Sequence, residues 1–205
     1  MTPEKIDQDI ARLISQLKST EQPIFIPYRP EKHAQISECF PAVEKMVSIN
    51  QGAMCLGWQI WKTRLLVEAE FHAVWRSPEG ELIDITPKPI ALQKILFLPM
   101  PHAKYNGAQV DNVRLNTTGN NVVDDFILVH EAIFKIENKG ERAHQYELHL
   151  TGMEAKIHAF LQDLRLHLEI MAFQGLTKRS PCFCGSEAKY KNCHGKALES
   201  ALNAL

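Results

Sequence analysis

No stretch of the 205 residues strings together the roughly 18 to 20 apolar side chains that a membrane helix needs. Residues 1–20 are charged and amphipathic, without the apolar core of an export signal, so the expected setting is the cytoplasm, with no membrane contact. The sequence has no internal repeat and no low-complexity tract, which excludes solenoids and a mainly disordered chain. It also has no glycine-rich phosphate loop, dinucleotide fingerprint or paired-carboxylate spacing, so nothing supports nucleotide-driven or redox-cofactor chemistry. Net charge is nearly absent, at −1 with a pI near 6.8, where a dedicated nucleic-acid binder would be distinctly basic. What remains is 45% hydrophobic and 23% charged residues, a globular composition long enough for one large or two modest domains.

The near-neutrality is a cancellation. Lys178, Arg179, Lys189, Lys191 and Lys196 against Glu187 put residues 177–196 at +4; Glu199 carries −1, which leaves residues 1–176 at −4. The five cysteines are equally uneven: Cys182, Cys184 and Cys193 lie close together near the C-terminus, and His194 follows the last of them. An odd count without an export signal argues for metal rather than disulfides. Three thiols and an imidazole are a tetrahedral Zn²⁺ set with no open position, hence structural rather than catalytic. The segment holds too few apolar residues to bury three thiols, so metal binding would supply its folding free energy.

Periodicity divides the rest. Thr2-Pro3-Glu4 reads as a helix start, with Ile6, Ile10, Leu13, Ile14 and Leu17 at helical spacing to about Lys18. Pro23, Pro27 and Pro30 keep the next segment extended or looped, and a second helix is expected over residues 37–47. Residues 53–62, 65–76 and 81–86 read as antiparallel strands with a hairpin turn at Ser77-Pro78-Glu79-Gly80. Residues 98–118 read as an irregular connection, and 126–136 with 142–149 as a further strand pair around Asn138-Lys139-Gly140. Thr151 and Glu154 form a capping box for a helix through Met171, and Gly175 stands where a helix-ending residue belongs. The expected fold class is α+β, an antiparallel sheet packed with helices plus a small C-terminal zinc knuckle. The expected divisions are a core at 1–175, a zinc-binding module at 176–196 and a tail at 197–205.

Residues 180–196, with Pro181 before the first ligand, Gly185-Ser186 after the second and Lys189-Tyr190-Lys191 before Cys193-His194, resemble the SEC-C motif. That motif is the zinc-binding tail of the preprotein translocation ATPase SecA and of many otherwise unrelated bacterial proteins. Glu187-Ala188 replaces a glycine usual in the pattern, a change in the turn and not in the ligands. The resemblance implies zinc on Cys182, Cys184, Cys193 and His194, a bacterial source, and docking on a protein partner such as the ribosome or a SecB-like chaperone. Nucleic acid would be touched only through the basic tail, where Phe183 and Tyr190 are compatible with phosphate contact.

A second site is expected in the core. A proline is tolerated only in the first turn of a helix, so Pro41 puts Cys39 near a helix start, with Ser37 as cap, where free N–H groups and the helix dipole favour thiolate. Strand alternation sets Glu70, His72 and Val74 on one face, and a turn centred on 77–80 brings His72 opposite Asp84 or Ile85. Cys39, His72 and Asp84 then suit nucleophile, base and orienter. The order, with His72-Ala73-Val74-Trp75 and Leu82-Ile83-Asp84-Ile85-Thr86-Pro87, resembles transglutaminase-like and papain-like thiol enzymes over residues 37–87. Phe40 stands where those enzymes usually carry Trp, and no glycine precedes Cys39. Taken singly, each residue also fits a bland role: a small core Cys, a hydrogen-bonded strand His, a turn-capping Asp. Cys55 reads as core; Trp58, Trp61 and Trp75 read as packing, with Trp58 or Trp75 able to line a cleft. His158 and His167, off the apolar stripe of their helix, read as solvated. Two compatible functions follow: a docking protein with a zinc knuckle, or a cysteine hydrolase or acyl transferase that the knuckle targets.

Overall fold

Asp7, not Thr2, starts the first helix of the computed structural model, which describes residues 1–145 and 147–205. Its carboxylate accepts the Ile10 N–H at 3.2 Å, and α1 runs over Gln8–Leu17 until Lys18 turns left-handed. β1 (Ile24–Pro27) and α2 (Cys39–Asn50) follow, then a long antiparallel hairpin of β2 (Ala53–Lys62) and β3 (Leu66–Arg76), in register from Ala53 opposite Arg76 to Lys62 opposite Val67. β4 (Leu82–Ile83), β5 (Lys94–Pro99) and β6 (Val113–Asn116) complete a six-stranded sheet ordered β1-β5-β2-β3-β4, with β6 also on β3. The α+β expectation holds, with the sheet antiparallel at β1–β5, β5–β2, β2–β3 and β3–β4.

Contacts divide the chain into two units. The first comprises Met1–Thr63, Val67–Asn106 and Asn112–Leu115; the second comprises Arg64–Leu66, Gly107–Asp111 and Asn116–Leu205. In the first, Ile10 and Leu13 of α1 pack against Ile60, Val67, Ala69 and Leu96. Cys39, Ala42, Val43 and Met46 of α2 pack on Ala73, Ile83 and Ile85. β6 lies within residues 98–118, read as irregular, and β5 overlaps that segment only at Leu98 and Pro99. Ile95, Leu96, Phe97 and Leu98 are all fully buried, so both faces are covered and no alternation marks the strand. Gly57 on β2 is required by this packing: a Cβ there would sit 2.3 Å from the Leu98 carbonyl oxygen and 2.5 Å from the Phe97 ring.

The second unit corrects the expected strand pair at 126–136 and 142–149. Residues Asn121–Glu137 form a helix, α3, capped by the Asn120 side chain accepting the Val122 N–H at 3.0 Å, and Gly140–His144 form a 3-10 turn. Phe126, Val129, Ala132, Ile133 and Ile136 are buried at helical spacing against α4 (Gly152–Phe173), which starts after Thr151 as expected. Gly175 takes a positive φ of 70° beyond its end. The boundary drawn after residue 175 lies within this unit, and residues 197–203, read as tail, continue α5 (His194–Asn203). Leu198 and Ala201 of α5 join the buried cluster of α3 and α4.

Candidate active site and metal centre

Cys39 is the first residue of α2. Glu38, not Ser37, precedes it at the cap, and Ser37 takes a left-handed φ of 66°. Pro41 is thereby in the first turn, where no N–H is missed, and Cys39 itself is buried. His72 lies on β3 opposite Gly57 and is 2% exposed. Its Nε2 faces Asp84 Oδ1 at 3.0 Å, and Cys39 lines the same cavity as the imidazole and contributes to raising its pKa. His72 and Asp84 are thus in contact, and Cys39 stands on the wall of the cavity that His72 also lines.

His72 and Asp84 meet by a different register from the one expected. β3 pairs Trp75 with Ile83 and Arg76 with Leu82, so His72 is not opposite Asp84 in the ladder. The chain leaves β4 at Ile83 and crosses to β1's extension: Asp84 N–H donates to the Pro27 carbonyl at 3.0 Å, and its own carbonyl accepts the Arg29 N–H at 2.9 Å. The carboxylate is fully buried, with Oδ1 also accepting the Thr86 N–H at 3.1 Å and Oδ2 3.1 Å from Lys88 Nζ. Lys88, 7% exposed at its side chain, is a site residue that sequence reading missed.

Burial pushes His72 toward its neutral form, but the Asp84 charge and hydrogen bond, with Cys39, outweigh it and raise the pKa to about 9. Burial likewise opposes ionisation of Asp84; the His72 charge and hydrogen bond, then Lys88 and the Thr86 N–H, hold it below the usual carboxylate range. Cys39, His72 and Thr86 line a cavity of about 350 Å³ together with Trp61, Glu70 and Lys88. The tryptophan at the cavity is Trp61, not Trp58 or Trp75: Trp58 packs edge-on to Phe71, and Trp75 donates to the Gln51 carbonyl. Cys55 is buried with Val74, Ile95 and Phe97, as expected of a core residue.

In the second unit, Cys182, Cys184, Cys193 and His194 bring their ligand atoms within 4.8 Å of one another. Cys182 Sγ is 3.2 Å from His194 Nδ1, Cys193 Sγ is 3.4 Å from the same nitrogen, and Cys184 Sγ is 3.7 Å from Cys193 Sγ. A tetrahedron with metal–sulfur bonds of about 2.3 Å and metal–nitrogen bonds of about 2.0 Å has edges of roughly 3.5 to 3.8 Å. Three of the ligand pairs lie near these edges, so the cluster is compatible with holding a metal ion. Ser186 hydrogen-bonds the Cys184 and Cys193 sulfurs at 3.2 and 3.4 Å. Its side-chain and backbone hydrogen bonds lower the Cys184 thiol to about 6.

The knuckle is anchored by a buried carboxylate that sequence reading also missed. Asp125 of α3, 5% exposed, accepts the Tyr190 hydroxyl at 3.1 Å and the Lys178 ammonium at 2.6 Å. Tyr190 is completely buried, so it is an anchor and not a phosphate contact. Burial, then the Asp125 charge, push its phenol well above the usual range. Phe183 stacks on His167 at 4.0 Å, and His158 meets Glu137 at 2.7 Å, so neither histidine is simply solvated. Arg179, Lys189, Lys191 and Lys196 stay exposed.

Residues 179–196 match the family model of the SEC-C motif. No curated protein and no solved structure matches the chain, and the resemblance of residues 37–87 to transglutaminase-like enzymes gains no support. No helix among the described residues is long and apolar enough to cross a membrane.

Proposed function

We propose that the first unit is a cysteine hydrolase or acyl transferase, and that the SEC-C knuckle of the second holds a structural Zn²⁺ and docks the protein in the cytoplasm. The observation that carries the enzyme reading is the buried His72–Asp84 pair at 3.0 Å, with Cys39 and His72 lining one cavity. Asp84 accepts the Nε2–H, and in the reactive form the proton shared by His72 and Cys39 rests on the imidazole, which leaves the sulfur as thiolate. The Cys39 sulfur attacks the acyl carbon and forms a C–S bond, while the oxyanion is met by the free N–H groups at the start of α2. The imidazolium then protonates the leaving group as its bond to the acyl carbon breaks. Water, or an amine or alcohol acceptor, attacks the thioester with His72 as base, and the thiol is restored.

Peptide-mapped labelling by iodoacetamide at neutral pH tests this. Cys39 should react at least tenfold faster than a free thiol of pKa about 8.5, and His72→Ala should abolish the excess. Reaction at the free-thiol rate sinks the enzyme reading.

Zinc is the ion that three thiolates and an imidazole favour, and the distances suit it. Purified protein should carry one zinc per chain, and Cys182→Ser should lose it. For docking, the exposed Arg179, Lys189, Lys191 and Lys196 offer a basic face for an acidic protein surface, the ribosome or a SecB-like chaperone being the partners the motif suggests. Changing all four to Ser, with zinc retained, should abolish co-sedimentation with ribosomes and capture of the chaperone. Loss of neither refutes docking through this face.

A further inference from the structure

The side chains of Glu68, Glu70 and His72 point to one face of β3, and all three line the cavity beside Cys39. Their charges are not equally matched. Glu68 is paired with Arg114 Nε at 2.8 Å and accepts from Asn112 at 2.9 Å. Lys88 is paired with Asp84. In the reactive form, one proton is shared between Cys39 and His72, so Cys39, His72, Asp84 and Lys88 sum to zero wherever that proton sits. Glu70 is left over. Its Oε2 accepts the neutral indole N–H of Trp61 at 2.7 Å, which fixes the carboxylate without cancelling its charge, and no ion pair reaches it among the described residues. The exposed Met1 ammonium at the cavity donates to the Lys62 carbonyl at 3.2 Å and is screened by solvent. A second feature calls for a ligand: Thr86, 2% exposed, has a hydroxyl without a hydrogen-bond partner, and it too lines the cavity.

We infer that the cavity takes an acyl compound bearing an alkylammonium group, with Glu70 as counter-charge, Trp61 beside the ammonium and the Thr86 hydroxyl donating to the acyl oxygen. The inference rests on reading Cys39 as the nucleophile. Glu70 and His72 are two steps apart on β3, with Phe71 between them, so cation and reacting carbon are spaced by roughly 7 Å, the reach of a few methylenes. A half-buried carboxylate attracts a cation by its charge, and the Trp61 ring beside it already has Lys88 Nζ 5.8 Å from its centroid.

Methanethiosulfonate reagents test the charge preference without a known substrate. The Cys39 sulfur displaces methanesulfinate and forms a mixed disulfide, which peptide mapping assigns to Cys39 in the zinc-loaded protein. Relative to a neutral model thiol, the aminoethyl reagent should outpace the sulfonatoethyl reagent on the order of tenfold, from one uncompensated charge in a half-buried site. Glu70→Gln keeps the Trp61 hydrogen bond, and should erase this preference, read as the ratio of the two charged-reagent rates after each is divided by the same protein's rate with the neutral methyl reagent. Equal rates for the two charged reagents in wild type, or a preference that survives Glu70→Gln, overturns the inference. A methyl-reagent rate no faster than that of the model thiol overturns the nucleophile reading instead, so the two failures are distinguishable.

Discussion

Raising the pH through about 9 should weaken the first unit as His72 loses its proton. The folded imidazole titrates at about 9 against an ordinary value of 6.5, so between those values the folded chain holds a proton that the unfolded chain has released. The stabilisation is complete below 6.5 and disappears as pH rises through about 9. Converted at about 1.4 kcal/mol per pH unit, the loss is about 3 kcal/mol, with a limiting slope set by one proton. All three tryptophans lie in the first unit, so urea unfolding followed by their fluorescence reports this unit. The comparison is wild type against His72→Gln at about pH 6 and about pH 9.5, with zinc saturating, so that other titrations cancel. Wild type should exceed the variant by about 3 kcal/mol more at the lower pH than at the higher. A difference that stays flat across this range refutes an imidazolium buried against Asp84, and with it the charge arrangement of the site.

Three further outcomes follow. Tyr190→Phe removes a hydroxyl from a buried carboxylate and should cost about 2 kcal/mol in urea unfolding of the second unit, followed by circular dichroism, with zinc content unchanged. Gly57→Ala forces a methyl into the Leu98 carbonyl and the Phe97 ring, and should destabilise the sheet by about 2 kcal/mol or more by tryptophan fluorescence. Chelation should open residues 177–205 to protease while leaving that fluorescence unchanged, because the metal ligands and the tryptophans lie in separate units.

Residues that act through their neighbours in sequence were the legible ones. The metal ligands sit within a short span, and their spacing alone brought them together; Pro41 alone located Cys39 at a helix start. α3 was misread because Phe126, Ile127, Val129, Ile133, Phe134 and Ile136 have strand-like composition, although their burial follows the helical period from the Asn120 cap. β5 was missed because a strand covered on both faces does not alternate. His72 and Asp84 were paired correctly by a hairpin register that the structure does not use; the crossing of Asp84 to Pro27 and Arg29 makes the contact instead. Lys88, Glu70 and Trp61 gain their meaning from surroundings that no local pattern announces. Asp125 left one readable trace, a carboxylate on the apolar side of a helix.

The last residue of the Cys/His cluster, His194, is also the first residue of α5. A ten-residue helix is too short to persist by itself in water, so metal ligation would fix its first turn, and packing of Leu198 and Ala201 holds the rest. The family match stops at residue 196, whereas the knuckle relies on α5 beyond it and on Asp125 far upstream. As a portable cassette the motif is thus shorter than the object that folds. A host that receives it must offer a buried acid for the tyrosine and lysine, and an apolar seat for the helix that follows.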